Sequence, residues 1–276
     1  MISSADLERK VGEHYEAFGQ RDAILAALER RGIPLQGLTP DQLAPFDQFH
    51  TGGAAATQIL ADMLAPRSDQ HVLDVGCGLG GPARMLSRMK GCRVTGIDLA
   101  AHFVDHARFF TQLTRQSDLV TFHLASAVAL PFADSSFDGL WQLHVGMNVP
   151  DKQTMYSEMF RALKPGGRLA IHDPVRGTEG EFKYPVPWAT QSSMSFLSSR
   201  AEVLDYLRSA GFKILKDRDA TSDGLAWYAE LDAARRKNSP TLHSELSPLD
   251  VMRANHRDNL ASGVTRIKTL LAQKPL

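Results

Sequence analysis

The spacing of apolar residues divides this chain into three textures. Between residues 4 and 31, Leu7, Val11, Tyr15, Phe18, Ile24, Leu25 and Leu28 recur near helical spacing, with Gly32 and Pro34 as a stop, which predicts one long helix. A Pro- and Gly-rich connector follows, "GIPLQGLTPDQLAP", and then a helical stretch from Thr57 to Leu64 closed by Pro66. Beyond Pro66 short apolar runs alternate with helical segments. The runs lie at 71–76, 93–99, 119–125, 137–143, 167–173 and 212–219, and the helical stretches at 82–90, 101–116, 152–163 and 200–210. That alternation predicts βαβ units and a parallel sheet. The tail from Ser222 to Ser262 reads as helix broken around "NSPTLHSELSP", and "TRIKTLLAQK" has the alternation of a final edge strand. These textures give an N-terminal helical cap over 1–56 and a core over 57–276. The core carries an insertion at about 174–200 and extra helices at about 222–262.

Composition removes several functions. A length of 276 residues suits one α/β core with appended helices. Lys plus Arg and Asp plus Glu both number 31, so no bulk positive field exists to hold RNA or DNA. The opening "MISSADLERKVGEHYEAF" has no apolar signal region, and no run of about 18 apolar residues occurs, so a cytoplasmic protein without a membrane span is expected. Cys77 and Cys92 form no CxxC or Cys/His cluster, so they read as reduced thiols and no metal is expected. A monomer and a homodimer both stay open.

Candidate chemistry begins at "VLDVGCGLGGPARML", a buried strand running through glycines into a helix with Pro82 in its first turn. Glycines there let a ligand approach the main chain and the helix N-terminal amides. Gly76, Gly78 and Gly81 satisfy GxGxxG, and Asp98 ends the next strand, so a dinucleotide oxidoreductase is one reading. Asp74 opposes it. A carboxylate two residues before the first glycine repels a pyrophosphate but can hold, directly or through water, the ammonium of an amino-acid ligand.

After this turn come "ALPFADSSFDGL" and "MFRALKPGGRLAIHD". In order and spacing the set closely resembles the class I S-adenosylmethionine (SAM) dependent methyltransferases, strongly from Val72 to Asp173 and more loosely in the flanks. The resemblance implies an α/β fold with a Rossmann-like sheet of seven strands, mostly parallel, the last antiparallel, in the order 3-2-1-4-5-7-6. It implies SAM as cofactor, S-adenosylhomocysteine as product and a small-molecule acceptor. Asp74, Gly76, Cys77, Gly78 and Gly80 would form the loop under the methionine part, Asp98 would take the ribose hydroxyls, and Leu99 would lie beside the adenine. Leu143 would run along the methionine part. Where the family usually has Asp-Ala before "xxLPF", its carboxylate accepting from the adenine amino group, this chain has Ser126-Ala127. A serine accepts that bond without charge and with a shorter reach.

The carboxyl ends of parallel strands form the ligand crevice, so "WQLHVGMNVPDK" belongs at its mouth. His144 there is either a hydrogen-bonded strand-end residue or a base or substrate ligand, and Asn148 is a weaker candidate for orienting substrate. Two covers are expected. His50, Gly52 and Gly53 match a His-x-Gly segment found near the cofactor in relatives that methylate glycine, sarcosine, dimethylglycine or natural-product sugars. Tyr15 matches an aromatic those relatives place over the site, although it also belongs to the apolar stripe. The insertion offers Phe182, Tyr184, Trp188 and Phe196 as faces for a flat or cationic substrate. The expected reaction is methyl transfer to nitrogen or oxygen of a small molecule. Transfer to carbon, an NAD-dependent oxidoreductase and a non-catalytic SAM-binding protein are the alternatives.

Overall fold

The computed structural model describes residues 4–16, 18–238 and 247–276. Its centre is one seven-stranded sheet in the order β3-β2-β1-β4-β5-β7-β6. The strands are β1 His71–Val75, β2 Arg93–Asp98, β3 Val120–Leu124, β4 Phe137–Leu143, β5 Leu163–Arg176, β6 Lys213–Asp219 and β7 Thr265–Gln273. The first five run parallel, and β7 is antiparallel to both β5 and β6. This is the architecture that the resemblance implies.

Ten α-helices surround the sheet among the described residues: α1 Ser4–Tyr15, α2 Arg21–Arg30, α3 Pro40–Asp47, α4 Gly53–Leu64, α5 Gly81–Lys90, α6 Ala101–Leu113, α7 Lys152–Ala162, α8 Arg200–Ser209, α9 Thr221–Asn238 and α10 Pro248–Ser262. On one face Leu60, Leu86, Val104 and Ala107 from α4, α5 and α6 pack on Val72, Val94 and Trp141. On the other, Met155, Met159, Val203 and Leu207 from α7 and α8 pack on Leu73, Leu140 and Leu169. Burial on both faces is why β1 reads as an almost continuous apolar run.

The structure corrects four expectations from the sequence. The predicted helix over 4–31 is two helices, because Gly19 turns at φ +64 and a Cβ there would lie 3.0 Å from both Leu79 and Phe103. The connector contains α3, whose start is a capping box in which Thr39 and Gln42 satisfy each other's backbone amides. α4 begins at Gly53, so the boundary placed between residues 56 and 57 falls inside a helix. The last strand is not an edge: β7 lies between β5 and β6, and its residues Thr269 to Ala272 are all buried. The break in the tail falls between α9 and α10, and residues 239–246 of it lie outside the described residues.

The cap is held on by packing and by one buried charge pair. Ile24 and Leu28 from α2, Leu38 from the connector and Leu43 from α3 pack with Leu79, Phe103 and Phe110. Beneath them Arg84 donates to Asp47 at 2.7 Å, both side chains being at most 1% exposed. The same guanidinium donates to the carbonyls of Leu79 and Ala107 and to Thr111, so the glycine loop, α6 and the cap share one anchor.

Candidate functional site

A cavity opens at the carboxyl ends of β1, β2 and β4. Strand order reverses there, with β2 on one side of β1 and β4 on the other, which is where open α/β sheets bind ligands. Asp74, Gly76, Cys77, Gly78, Asp98, Leu99, Ser126, Ala127, Leu143, His144 and Asn148 all line it, as do Tyr15, His50 and Trp188.

The glycine loop shows how the residues divide their work. Gly76 and Gly80 are packing glycines: a Cβ at Gly76 would meet Val145 at 2.4 Å, and one at Gly80 would meet Phe122 at 2.4 Å. Gly80 also caps α5 with φ +74 and does not line the cavity. Gly78 differs. It has φ +51, nothing lies within 4 Å of where its Cβ would be, and it faces the cavity. Its amide donates to Asp98 at 2.8 Å, and Ala100 donates to the same carboxylate at 2.9 Å. Asp98 thus fixes the loop and keeps lone pairs for a polyhydroxy ligand.

Asp74 is 1% exposed, and its Oδ2 has no hydrogen-bond partner. Burial, and then the Asp98 charge, push its carboxyl up to about 7. A buried carboxylate with an unpartnered oxygen is costly unless a cation joins it, even with the Trp141 indole favouring its charged form. The donor set therefore fits SAM: Asp74 for an ammonium, Gly78 for close main-chain approach, and Asp98 for ribose hydroxyls.

At the other end, Asp173 accepts from the amides of Val145 and Gly146 at 2.9 Å each and so holds the loop after β4. Desolvation raises its carboxyl to about 6. His144 adopts φ +56, in the left-handed region, and its amide donates to His172. The Thr51 amide donates to His144 Nε2 at 3.3 Å, so the neutral ring carries its proton on Nδ1. Burial and the neighbouring His172, His50 and His256 hold this imidazole well below its ordinary pKa. As arranged, His144 offers an N–H; to act as a base it must first lose the Thr51 contact. Asn148 Nδ2 donates to Tyr15 Oη at 2.8 Å, while its Oδ1 is buried without a partner.

The remaining expected contacts are more structural. His50 is bonded to the Gly53 carbonyl and Thr57, and burial lowers its pKa to about 3. Gly52 does not line the cavity; its φ of +90 turns the chain into α4. Trp188 is 1% exposed and donates to Ser195 at 2.9 Å, packing with Val186 and Ala189 of the insertion and with Met147 from the loop after β4. Ser126 Oγ donates to Glu8 on α1 at 2.7 Å.

Sequence reading missed Trp227 and Tyr228 on α9 and Arg253 and His256 on α10, which also line the cavity. The aromatic pair in "LAWYAEL" was visible, but nothing local ties it to a strand terminus more than 80 residues earlier. Among the described residues no cluster of three or more His, Cys, Asp or Glu is arranged to hold a metal, and no helix is long and apolar enough to cross a membrane.

Comparisons with known proteins agree with this geometry. Residues 73–171 match the family described as a methyltransferase domain. Methyltransferase GfsG of Streptomyces halstedii is 37% identical over 171 residues, covering 62% of this chain and 60% of that protein. A sterol 24-C-methyltransferase of Gibberella zeae is 29% identical over 201 residues, covering 69% of this chain and 52% of that protein. The alignments thus span between about half and three fifths of these relatives' lengths. Geranyl diphosphate C-methyltransferase from Streptomyces coelicolor A3(2), solved with Mg2+, geranyl diphosphate and S-adenosylhomocysteine, superposes with a TM-score of 0.66 at 24% identity, covering 80% of this chain and 79% of that one.

Proposed function

We propose that this chain, which carries a methyltransferase domain on a class I SAM-dependent methyltransferase fold, transfers a methyl group from SAM to an oxygen or nitrogen of a small, largely apolar acceptor. The observation that carries the reading is the buried carboxylate of Asp74, whose Oδ2 has no hydrogen-bond partner, beside the open face of Gly78. A dinucleotide would bring a pyrophosphate to that carboxylate, which repels it. An amino-acid ammonium neutralises it.

When bound, SAM supplies a methyl group already activated by its sulfonium. The protein's task is then alignment and exclusion of water. Asp74 and Asp98 fix the two polar ends of the cofactor, and Leu143 supports its side from the end of β4. Asn148 Oδ1 accepts the N–H or O–H of the acceptor, and for an oxygen acceptor the Nδ1–H of His144 contacts the lone pair that does not attack. The bond from methyl to sulfur would break as the bond from methyl to the acceptor atom forms, the acceptor's proton would pass to solvent water, and S-adenosylhomocysteine would leave. Met147, Trp188 and Trp227 close an apolar wall around the acceptor.

The partnerless Oδ1 of Asn148 favours an acceptor that carries a proton on its nucleophilic atom. The aromatic lining, and the kinship to a sterol C-methyltransferase, support the second reading, transfer to carbon. Methyl-labelled SAM offered to a panel of phenols, hydroxylated polyketides, sugars, amines and isoprenoids tests both. Label on O or N is expected. Label only on carbon replaces the first reading with the second, and no transfer to any member contradicts the enzyme.

A further inference from the structure

The adenine end of the cavity lacks the carboxylate that the resemblance leads one to expect, because position 126 is serine. The structure brings one from elsewhere. Glu8, 118 residues away in sequence, accepts from Ser126 Oγ at 2.7 Å through Oε1. Its Oε2 makes no hydrogen bond to any described residue. The serine is turned towards that carboxylate: its proton is spent on Glu8, and it accepts the Val128 amide at 3.3 Å.

The rest of α1 is built to the same purpose. Glu8, Val11, Gly12 and Tyr15 all line the cavity, at the i, i+3, i+4 and i+7 spacing of one helix face. A glycine inside a helix costs roughly 1 kcal/mol relative to alanine. Gly12 nevertheless occupies the middle of α1, and nothing lies within 4 Å of where its Cβ would be. It leaves the cavity wall open one turn after the carboxylate. Leu99 and Ala127 supply apolar surface at this end. A flat heterocycle with one exocyclic amine matches that arrangement.

We propose that Glu8, relayed onto position by Ser126, is the residue that accepts from the 6-amino group of the SAM adenine. The N-terminal helix is thereby a nucleobase-reading wall of the cofactor site as well as a cover. This inference rests on reading the cavity as the SAM site.

The test is calorimetric binding of S-adenosylhomocysteine and of its analogue with hydrogen in place of the 6-amino group, on the full chain. Wild type should prefer the amino ligand. Glu8→Ala should weaken that ligand about 10-fold or more and leave the deamino analogue within about 2-fold, since a hydrogen bond to a charged acceptor is what has been removed. Ser126→Asp should fail to tighten binding in the wild-type background, where two carboxylates would adjoin. The same substitution should restore amino-ligand affinity in Glu8→Ala. Equal weakening of both ligands by Glu8→Ala, or no weakening, overturns the assignment while leaving the cofactor reading intact. Failure of wild type to bind either ligand overturns both.

Discussion

Asp74→Asn should make the unliganded protein more stable and the liganded protein less so. The carboxyl is pushed from 3.8 to about 7, first by burial and then by the Asp98 charge. At about 1.4 kcal/mol per pH unit, keeping it ionised costs the empty fold on the order of 4 kcal/mol. The sign follows from proton counts. Between about pH 4 and 7 the folded chain holds a proton on Asp74 that the unfolded chain has released, so the stability due to that protonated carboxyl is lost as pH rises through about 7. Urea denaturation of wild type at pH 5 and pH 8 should reveal that loss, and the asparagine variant should be the more stable protein at pH 8. Calorimetric titration should then show the cost. S-adenosylhomocysteine binding should weaken about 10- to 100-fold, because a charge-assisted contact to its ammonium is gone. In wild type the affinity should also fall with acidification below about pH 7, and the variant should lack that dependence. A variant less stable than wild type at pH 8 with unaltered ligand affinity would refute the reasoning, since Asp74 would then have a protein partner and no ligand role.

Other substitutions separate roles that lie close in sequence. His144→Ala should leave S-adenosylhomocysteine binding within a few-fold while lowering turnover about 100-fold through lost alignment. His144→Asn, which tolerates the φ of +56 better, controls for backbone strain. Because burial and three neighbouring histidines hold His144 neutral, the wild-type rate should show no step near pH 6.5 assignable to it; a step abolished by His144→Ala would place a titrating base there. Gly78→Ala and Gly80→Ala should part company. The first adds about 1 kcal/mol of backbone strain but puts its methyl where the ligand approaches, so affinity falls more than stability. The second drives a methyl into Phe122 and should chiefly cost stability, about 1–3 kcal/mol, read by urea denaturation alongside ligand titration.

The centre of the sheet was legible because β1, β2 and β4 are buried along most of their length, and the six runs from "HVLDVG" to "FKILKDRD" correspond to β1 to β6. The carboxyl ends of β1, β2 and β4 border the cavity, as expected for an open α/β sheet. Local spacing failed where distance in sequence decides the outcome. The turn at Gly19 is imposed by Leu79 and Phe103, some 60 and 84 residues on. The interior place of β7 is set by pairing to both β5 and β6, which its alternation does not encode. The α3 helix was hidden by prolines, although "TPDQ" carries the capping signal that starts it. The hydrogen bond from Ser126 to Glu8 spans 118 residues, so no local motif signals it. His144 stayed open in the sequence between a strand-end residue and a base or substrate ligand, because the Thr51 amide that meets its Nε2 lies 93 residues away.

The central claim is that the cavity beside Asp74 and Gly78 is a SAM site. Thermal unfolding of the full chain with saturating SAM, S-adenosylhomocysteine or NADH tests it most directly, because a ligand at about 100 times its Kd stabilises the fold it binds by about 2.7 kcal/mol. A higher melting temperature with SAM and S-adenosylhomocysteine and none with NADH is the predicted result. Stabilisation by NADH and by neither adenosyl compound would contradict the account.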